Sequence, residues 1–287
     1  ASWGQGYRFP SMAELFISSE VTSGIWVYPN ASLKPENGWS AEIGIKQGIK
    51  AGKWLGYLDV AAFIMEYDDM MEFTFGKWGE NRGDTNFFGY GFKSINIGNT
   101  RISGLELSIS GGGHITQDIK VNIIAGYTYM NPISLTPNQV YAELDESIFL
   151  TGADGNQEEI YNLTYINSSS DPSILKYRYK HIAKIDAELT YKNISLGGSL
   201  RYNDFMKNID RIFADPNLAL IGITGIKESR ENSKYGDIII DARCGYQLNE
   251  IMRFGFIINN LLNREYTSRP ANMMPPRTFA LQLGLKI

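Results

Sequence analysis

The side chains with chemistry to offer are few: two histidines, one cysteine, and a run of carboxylates and aromatic rings between residues 132 and 176. His114 and His181 would matter as metal ligands or proton carriers if they met. The strand pattern described below puts them on opposite rims, which predicts two ordinary surface histidines and no shared metal. Cys244 stands alone, which excludes an intrachain disulfide framework and a cysteine-cluster metal site. The acidic run holds Glu143, Asp145, Glu146, Asp154, Glu158, Glu159 and Asp171, interleaved with Tyr141, Phe149, Tyr161 and Tyr165. Rings among carboxylates can contact a ligand, and several oxygens can hold calcium; the plainer reading is a solvated loop. Asp154-Gly155-Asn156 is too short for an EF-hand loop, which needs alternating Asp or Asn, then Gly and a later Glu. No Ser-His-Asp set, paired-carboxylate motif or glycine-rich phosphate loop occurs, so no catalytic site, cofactor or metal is expected. A net charge of -4 and a pI near 5.4 argue against a surface for DNA or RNA phosphates.

The elements that must position these residues alternate with period two. At the end of the chain Phe279, Leu281, Leu283, Leu285 and Ile287 share one parity, and Thr278, Ala280, Gln282, Gly284 and Lys286 share the other. Successive side chains of a strand point to opposite faces, so this stretch has one apolar and one small or polar face. Similar strands recur in pairs upstream. Residues 39–50 pair with 54–68 through Lys50-Ala-Gly-Lys53, and 93–111 with 117–131 through Gly111-Gly-Gly-His-Ile-Thr116. Residues 180–192 pair with 194–206 at Lys192-Asn193, and 235–247 with 251–262 near Leu248-Asn-Glu250. With an opening stub that ends at Arg8, ten strands are expected. One face carries Glu42, Lys46, Asp59, Glu106, Lys184, Asp186, Glu188, Arg201, Asp237, Asp241, Arg243, Arg253 and Lys286; the other is almost uncharged and holds Trp39, Trp54, Tyr202 and Tyr246. Connections within pairs are short, whereas 9–37, 69–92, 132–176, 207–234 and 263–275 read as long loops. The one helix expected is Ser11–Phe16, with Ser11 as N-cap.

No run approaches the roughly 20 apolar residues of a spanning helix, but a membrane β-barrel needs only alternate residues to be apolar. A secreted β-sandwich alternates as well, because it buries one face and wets the other. Strands of 12 or more residues favour the barrel, since globular strands usually run about 5–6. Short turns on one rim and long loops on the other favour it too.

Four segments then resemble TonB-dependent outer-membrane receptors, with a Bacteroidetes flavour. Gly4-Gln-Gly-Tyr7-Arg8-Phe-Pro10-Ser-Met-Ala-Glu14-Leu-Phe16 resembles the family's aromatic-Arg-Ala-Pro box. Asn30-Ala-Ser-Leu33-Lys-Pro35-Glu36, followed by the strand from Gly38, resembles its Asn-Pro-x-Leu-x-Pro-Glu segment. Asn96–Asn99 through Gly104-Leu-Glu106 is the third, and Asn259-Asn260 through Tyr266 with Pro276-Arg277-Thr-Phe279 the fourth. The resemblance spans nearly the whole chain. It implies an all-β antiparallel transmembrane barrel, of which residues 1–287 would be the last ten of about 22 strands; plug, TonB box and earlier strands would lie elsewhere, in a longer protein or a separate piece. It further implies a Gram-negative outer-membrane location, a role in energised uptake of a siderophore, cobalamin or oligosaccharide, and lipid, TonB and a surface lipoprotein as partners. Charges on the polar face would mostly pair with each other or with the plug. Haem receptors of the family carry a His between the first two boxes; residues 10–29 contain none, which argues against haem. The chain ends in Ile287 where the family usually ends in an aromatic residue. The alternatives are a non-transporting barrel acting as scaffold in a surface complex, and a secreted sandwich or adhesin.

Overall fold

The computed structural model describes residues 1–22, 24–79, 89–151, 156–215, 225–270 and 272–286. From β1 (Ser2–Arg8) the chain passes through α1 (Met12–Phe16) and a small hairpin, β2 (Ser19–Thr22) and β3 (Ile25–Tyr28), into the long hairpin β4 (Glu36–Ala51) and β5 (Lys53–Asp68). Short strands β6 (Met71–Lys77) and β7 (Tyr90–Asn96) precede a second long hairpin, β8 (Thr100–His114) and β9 (Ile119–Ser134). Next come β10 (Val140–Thr151), β11 (Gln157–Thr164) and α2 (Tyr165–Ser168), then the hairpin β12 (His181–Tyr191) and β13 (Ile194–Asn203). A 3-10 turn at Arg211–Ala214 and α3 (Ile226–Asn232) lead to β14 (Asp237–Gln247) and β15 (Met252–Asn259). A two-stranded turn, β16 (Thr267–Arg269) with β17 (Asn272–Met273), comes before β18 (Thr278–Leu285).

Ten strands form one sheet in the order β1-β4-β5-β8-β9-β12-β13-β14-β15-β18, each antiparallel to its neighbours. This is the expected meander, and the sheet does not close on itself: β1 and β18 are its edges. The register keeps parity throughout. Ile43 faces Ala62 and then Leu105 and Tyr129 on one face, while Glu42, Phe63, Gly104 and Met130 follow each other on the opposite face. The apolar face is bare. Ile43, Ile45 and Leu281 are 67%, 72% and 87% exposed, and no second sheet covers them among the described residues. A sandwich would bury this face; a barrel wall leaves it for lipid.

Three strand expectations change. The stretch 93–111 is two elements in different sheets, divided at Ile97-Gly98-Asn99, where Gly98 takes a φ of 90° that an L side chain resists. Gly111, Gly112 and Gly113 belong to β8, and the turn lies at 115–118. They stay in the strand because the Trp54 ring lies across Gly56 and Gly111, where a Cβ would collide with it. The long connections also carry structure of their own. β2, β3, β7 and β6 form a four-stranded sheet with β3 and β7 parallel, and β10 pairs with β11. Besides the expected α1, two further short helices occur among the described residues.

These connections pack as one layer at the loop rim. Ile25, Phe75, Ile148, Ile160, Met206, Ile209 and Phe213 share a buried cluster drawn from four separate connections. The Phe75 ring lies 5.0 Å from Phe92 and 4.8 Å from Phe213. Each such side chain contributes about 1.5–3 kcal/mol by leaving water, which offsets the entropy of ordering the loops.

Candidate functional site

The sequence motifs build the departures of chain from sheet to loop layer. Arg8 ends β1 and donates from Nε to Glu36 Oε1 at 2.8 Å and from Nη1 to Glu14 Oε1 at 2.9 Å. Glu36 Oε2 accepts the Met71 N–H at 2.8 Å, so one carboxylate ties β1, β4 and β6 together. Ser11 and Glu14 cap α1 reciprocally: Ser11 Oγ accepts from the Glu14 N–H, and Glu14 Oε2 accepts from the Ser11 N–H. Asn30 Nδ2 donates to the Ser94 carbonyl at 2.8 Å, and Leu33 is buried beside it in sequence. Tyr7 packs edge-on against Phe9, while Pro10 and Pro35 are half-buried in the same strap. Gly104 sits under the Phe63 ring, and Glu106 projects from the charged face, exposed and without an ion pair among the described residues. Asn260, at φ 50°, accepts the Arg264 N–H on Oδ1 and donates to the Arg264 carbonyl, closing the turn after β15. The Arg277 N–H donates to Asn263 Oδ1 at 2.9 Å.

The aromatic and acidic run becomes the β10–β11 hairpin, which sorts its rings by parity. Ile148, Leu150 and Ile160 face inward. Phe149 and Tyr161 face outward at 54% and 57% exposure, with Glu159 directly across from Phe149. Ser147 Oγ and Tyr161 Oη both donate to Glu159 Oε1, at 2.7 and 2.8 Å. The Ser147 hydroxyl first, and Tyr161 next, hold this carboxyl below the usual carboxylate range. Tyr165 is fully buried and its hydroxyl accepts the Lys176 N–H at 2.5 Å. Tyr141 packs against the same core with its hydroxyl buried. Asp154 and Gly155 lie outside the described residues, as does Ile287.

Beneath the hairpin lies a polar cluster without a clear signature in the sequence. Lys176 Nζ pairs with Asp210 Oδ1 at 2.8 Å, and both side chains are shut off from solvent. Asp210 Oδ2 accepts from Tyr177 Oη at 2.6 Å and from the Phe75 N–H at 3.1 Å. Burial acts to lower the Lys176 ammonium, but Asp210, Tyr141 and Glu72 together outweigh it and the ammonium is raised. Burial first, then the neighbouring carboxylates, raises the Tyr165 and Tyr177 phenols. Glu72, on β6, is buried beside them. Alternation would place Glu72 and Thr74 on a wet face; the packing of other loops over β6 reverses that. A separate cleft of about 470 Å³ opens between the 204–206 segment, α3 and the β16–β17 turn. Arg230 lies over the Phe205 ring at 4.7 Å in its wall, with Asp237, Glu265 and Arg269 around it.

Part of the charged face of the sheet pairs internally. Arg243 bridges Asp186 and Glu188, Arg201 meets Asp241 at 3.1 Å, Lys46 meets Asp59, and Arg253 donates to Ser195 Oγ. Trp39 and Tyr202 lie near the loop rim of the apolar face, and Trp54 and Tyr246 near its turn rim. His114 ends β8, whereas His181 opens β12 level with Leu105, nine residues and about 30 Å away along the strand. His181 Nδ1 shares a 2.7 Å hydrogen bond with Tyr127 Oη. No group of three or more His, Cys, Asp or Glu able to hold a metal forms among the described residues.

Residues 1–261 match the family described as TonB dependent receptor-like, beta-barrel. Over 209 residues the chain is 23% identical to the hemoglobin and hemoglobin-haptoglobin-binding protein A of Haemophilus influenzae, which is 65% of this chain and 19% of that protein. The copper transporter OprC superposes with a TM-score of 0.56 at 14% identity, over 99% of this chain and 36% of its own. The ferric-catecholate import receptor Fiu of E. coli K12 gives 0.54 at 20% identity, over 99% and 32%. The Serratia marcescens hemophore receptor HasR gives 0.54 at 15% identity, over 99% and 36%. The chain therefore spans about a fifth of that curated relative and about a third of these structures.

Proposed function

This chain belongs to the TonB dependent receptor-like β-barrel family of the Gram-negative outer membrane, and on that premise we propose that it is the C-terminal part of the barrel of a TonB-energised uptake receptor. The observation that carries the reading is the ten-stranded sheet, with its bare apolar face outward and its long loops packed together at one rim. Lipid would seal the apolar face, and the loop layer would be the extracellular platform. The plug and the strands that close the sheet between β18 and β1 would come from further sequence or a separate piece. The barrel's own part is passive: a rigid wall around a plug that TonB displaces.

The nutrient is a ferric siderophore, cobalamin or an oligosaccharide. The Haemophilus relative is named for hemoglobin, yet residues 10–29 lack the histidine that haem receptors of the family carry there, so haem is not our assignment. We place ligand contact on the outward face of the β10–β11 hairpin. Phe149 and Tyr161 offer rings with Glu159 between them, and Tyr141 and Tyr165 hold the hairpin from below. A surface lipoprotein would dock on the same layer.

The test uses the full-length receptor in cells with and without TonB, supplied in turn with each labelled nutrient. One nutrient should bind in both strains and accumulate only where TonB is present. Phe149→Ala and Tyr161→Ala should each weaken its binding about 3–10-fold, the worth of one aromatic contact. Binding without TonB-dependent accumulation of any of the three would replace transport with a scaffold role.

A further inference from the structure

The loop layer buries a carboxylate on β6. Glu72 is 7% exposed, and neither of its oxygens has a hydrogen-bond partner among the described residues. Glu72 and Thr74 are buried on one side of β6; on the other, Met71 and Phe75 are buried and Phe73 between them is exposed. The ionisable groups that face Glu72 come from each element packed around it. Lys176, Tyr177 and Arg178 come from the segment before β12, Asp210 from the segment after β13, Tyr141 from β10 and Tyr165 from α2. The ammonium among them is already committed, since Lys176 Nζ pairs with Asp210 and the pair is neutral. Thr74 Oγ1 is buried in the same layer without a partner among the described residues, and Tyr141 Oη is buried there against Ser168. An ionised Glu72 would therefore lack a hydrogen bond in a largely apolar core, with only the Lys176 and Arg178 charges, neither paired with it, to offset its burial, a costly state. A protonated Glu72 would be neutral and could donate.

We propose that Glu72 is a proton-binding site that sets how tightly the extracellular loop layer packs. With the proton bound, β6, β7 and the 204–215 segment close over it; with the proton lost, they loosen. The site is independent of which nutrient the receptor takes. Burial, partly offset by Lys176, pushes the carboxyl up to about 7 from its ordinary 4.5, in line with the geometry. The sign follows from linkage. The packed form keeps its proton between those two values while the opened form releases it. Packing is therefore strongest below about 4.5, weakens as pH rises through the window, and levels off above about 7. Between pH 5.5 and 8 the opening equilibrium should rise roughly 30-fold.

The test is hydrogen exchange of the full-length receptor in detergent, read on peptides covering 71–77 and 90–96 and corrected for intrinsic rates. The wild type should open roughly 30-fold more at pH 8 than at pH 5.5. Glu72→Gln and, as a second variant, Glu72→Leu should show no such difference, with barrel assembly checked by heat-dependent gel mobility. A wild type flat across this range would overturn the proposal. So would a pH dependence that persists in either assembled variant.

Discussion

Single side chains divide into those whose role the sequence announces and those whose role comes only from what folds over them. Arg8, Glu14, Asn30, Glu36 and Asn260 were legible as a pattern, and each makes contacts that tie a strand end to a loop. Lys176 and Asp210 were not legible, because any lysine and aspartate 34 positions apart in polar loops read as solvated. Burial shuts this pair off from solvent inside the loop layer. Removing one partner should therefore cost more than removing both. Asp210→Asn leaves a buried ammonium and should destabilise the layer by about 3–5 kcal/mol. Lys176→Met with Asp210→Leu removes both charges but strands the Tyr177 hydroxyl and the Phe75 N–H, so it should cost less than the single change without being neutral. Limited proteolysis of the loops in the intact receptor checks this: cleavage should accelerate in the single variant and return toward wild type in the double one.

Among the elements, period-two alternation located all ten long strands to within a few residues at most ends, because each has one face that must stay apolar and the register preserves it. The strand β8 shows the asymmetry this creates. Leu107 lies mid-strand on the apolar face, and Ser108 is its neighbour on the charged face. Leu107→Arg should cost about 2–4 kcal/mol near the bilayer midplane, whereas Ser108→Arg should change stability little. Folding yield into lipid vesicles separates the two. Alternation failed where packing, not water, sets the second face. β6 and β7 were read as loop or as the start of β8, since neither their shortness nor the φ of Gly98 is written in the hydropathy pattern. The band of the wall fits a bilayer. Trp39 and Trp54 bracket twelve residue steps of β4, from Trp39 to Ala51. At about 3.3 Å per step and a tilt near 45°, that is roughly 28 Å of height.

For the whole molecule the deciding fact is which face of the sheet is bare. Cys244 lies on the apolar face, opposite Leu196 and Phe256. In native membranes, with any cysteine outside this chain replaced by serine, Cys244 should react with a membrane-soluble thiol reagent and resist a charged maleimide. The reverse preference would place that face in water and sink the barrel orientation. The loop layer answers a second question at this scale. Its buried core is drawn from four connections, so these loops should move together, and the response to Glu72 ionisation should spread beyond β6.

The sequence by itself determined the ten-strand alternation, the asymmetry of the connections and the family motifs, because each is written in residue type and local spacing. The tertiary structure decided the rest. Alternation is the same for a sandwich and a barrel wall, and only the exposed apolar face separates them. A charged residue reads as wet until another segment covers it, and that segment is distant in the chain. Glu72, Lys176 and Asp210 therefore acquire their chemistry from contacts between loops that local sequence does not encode.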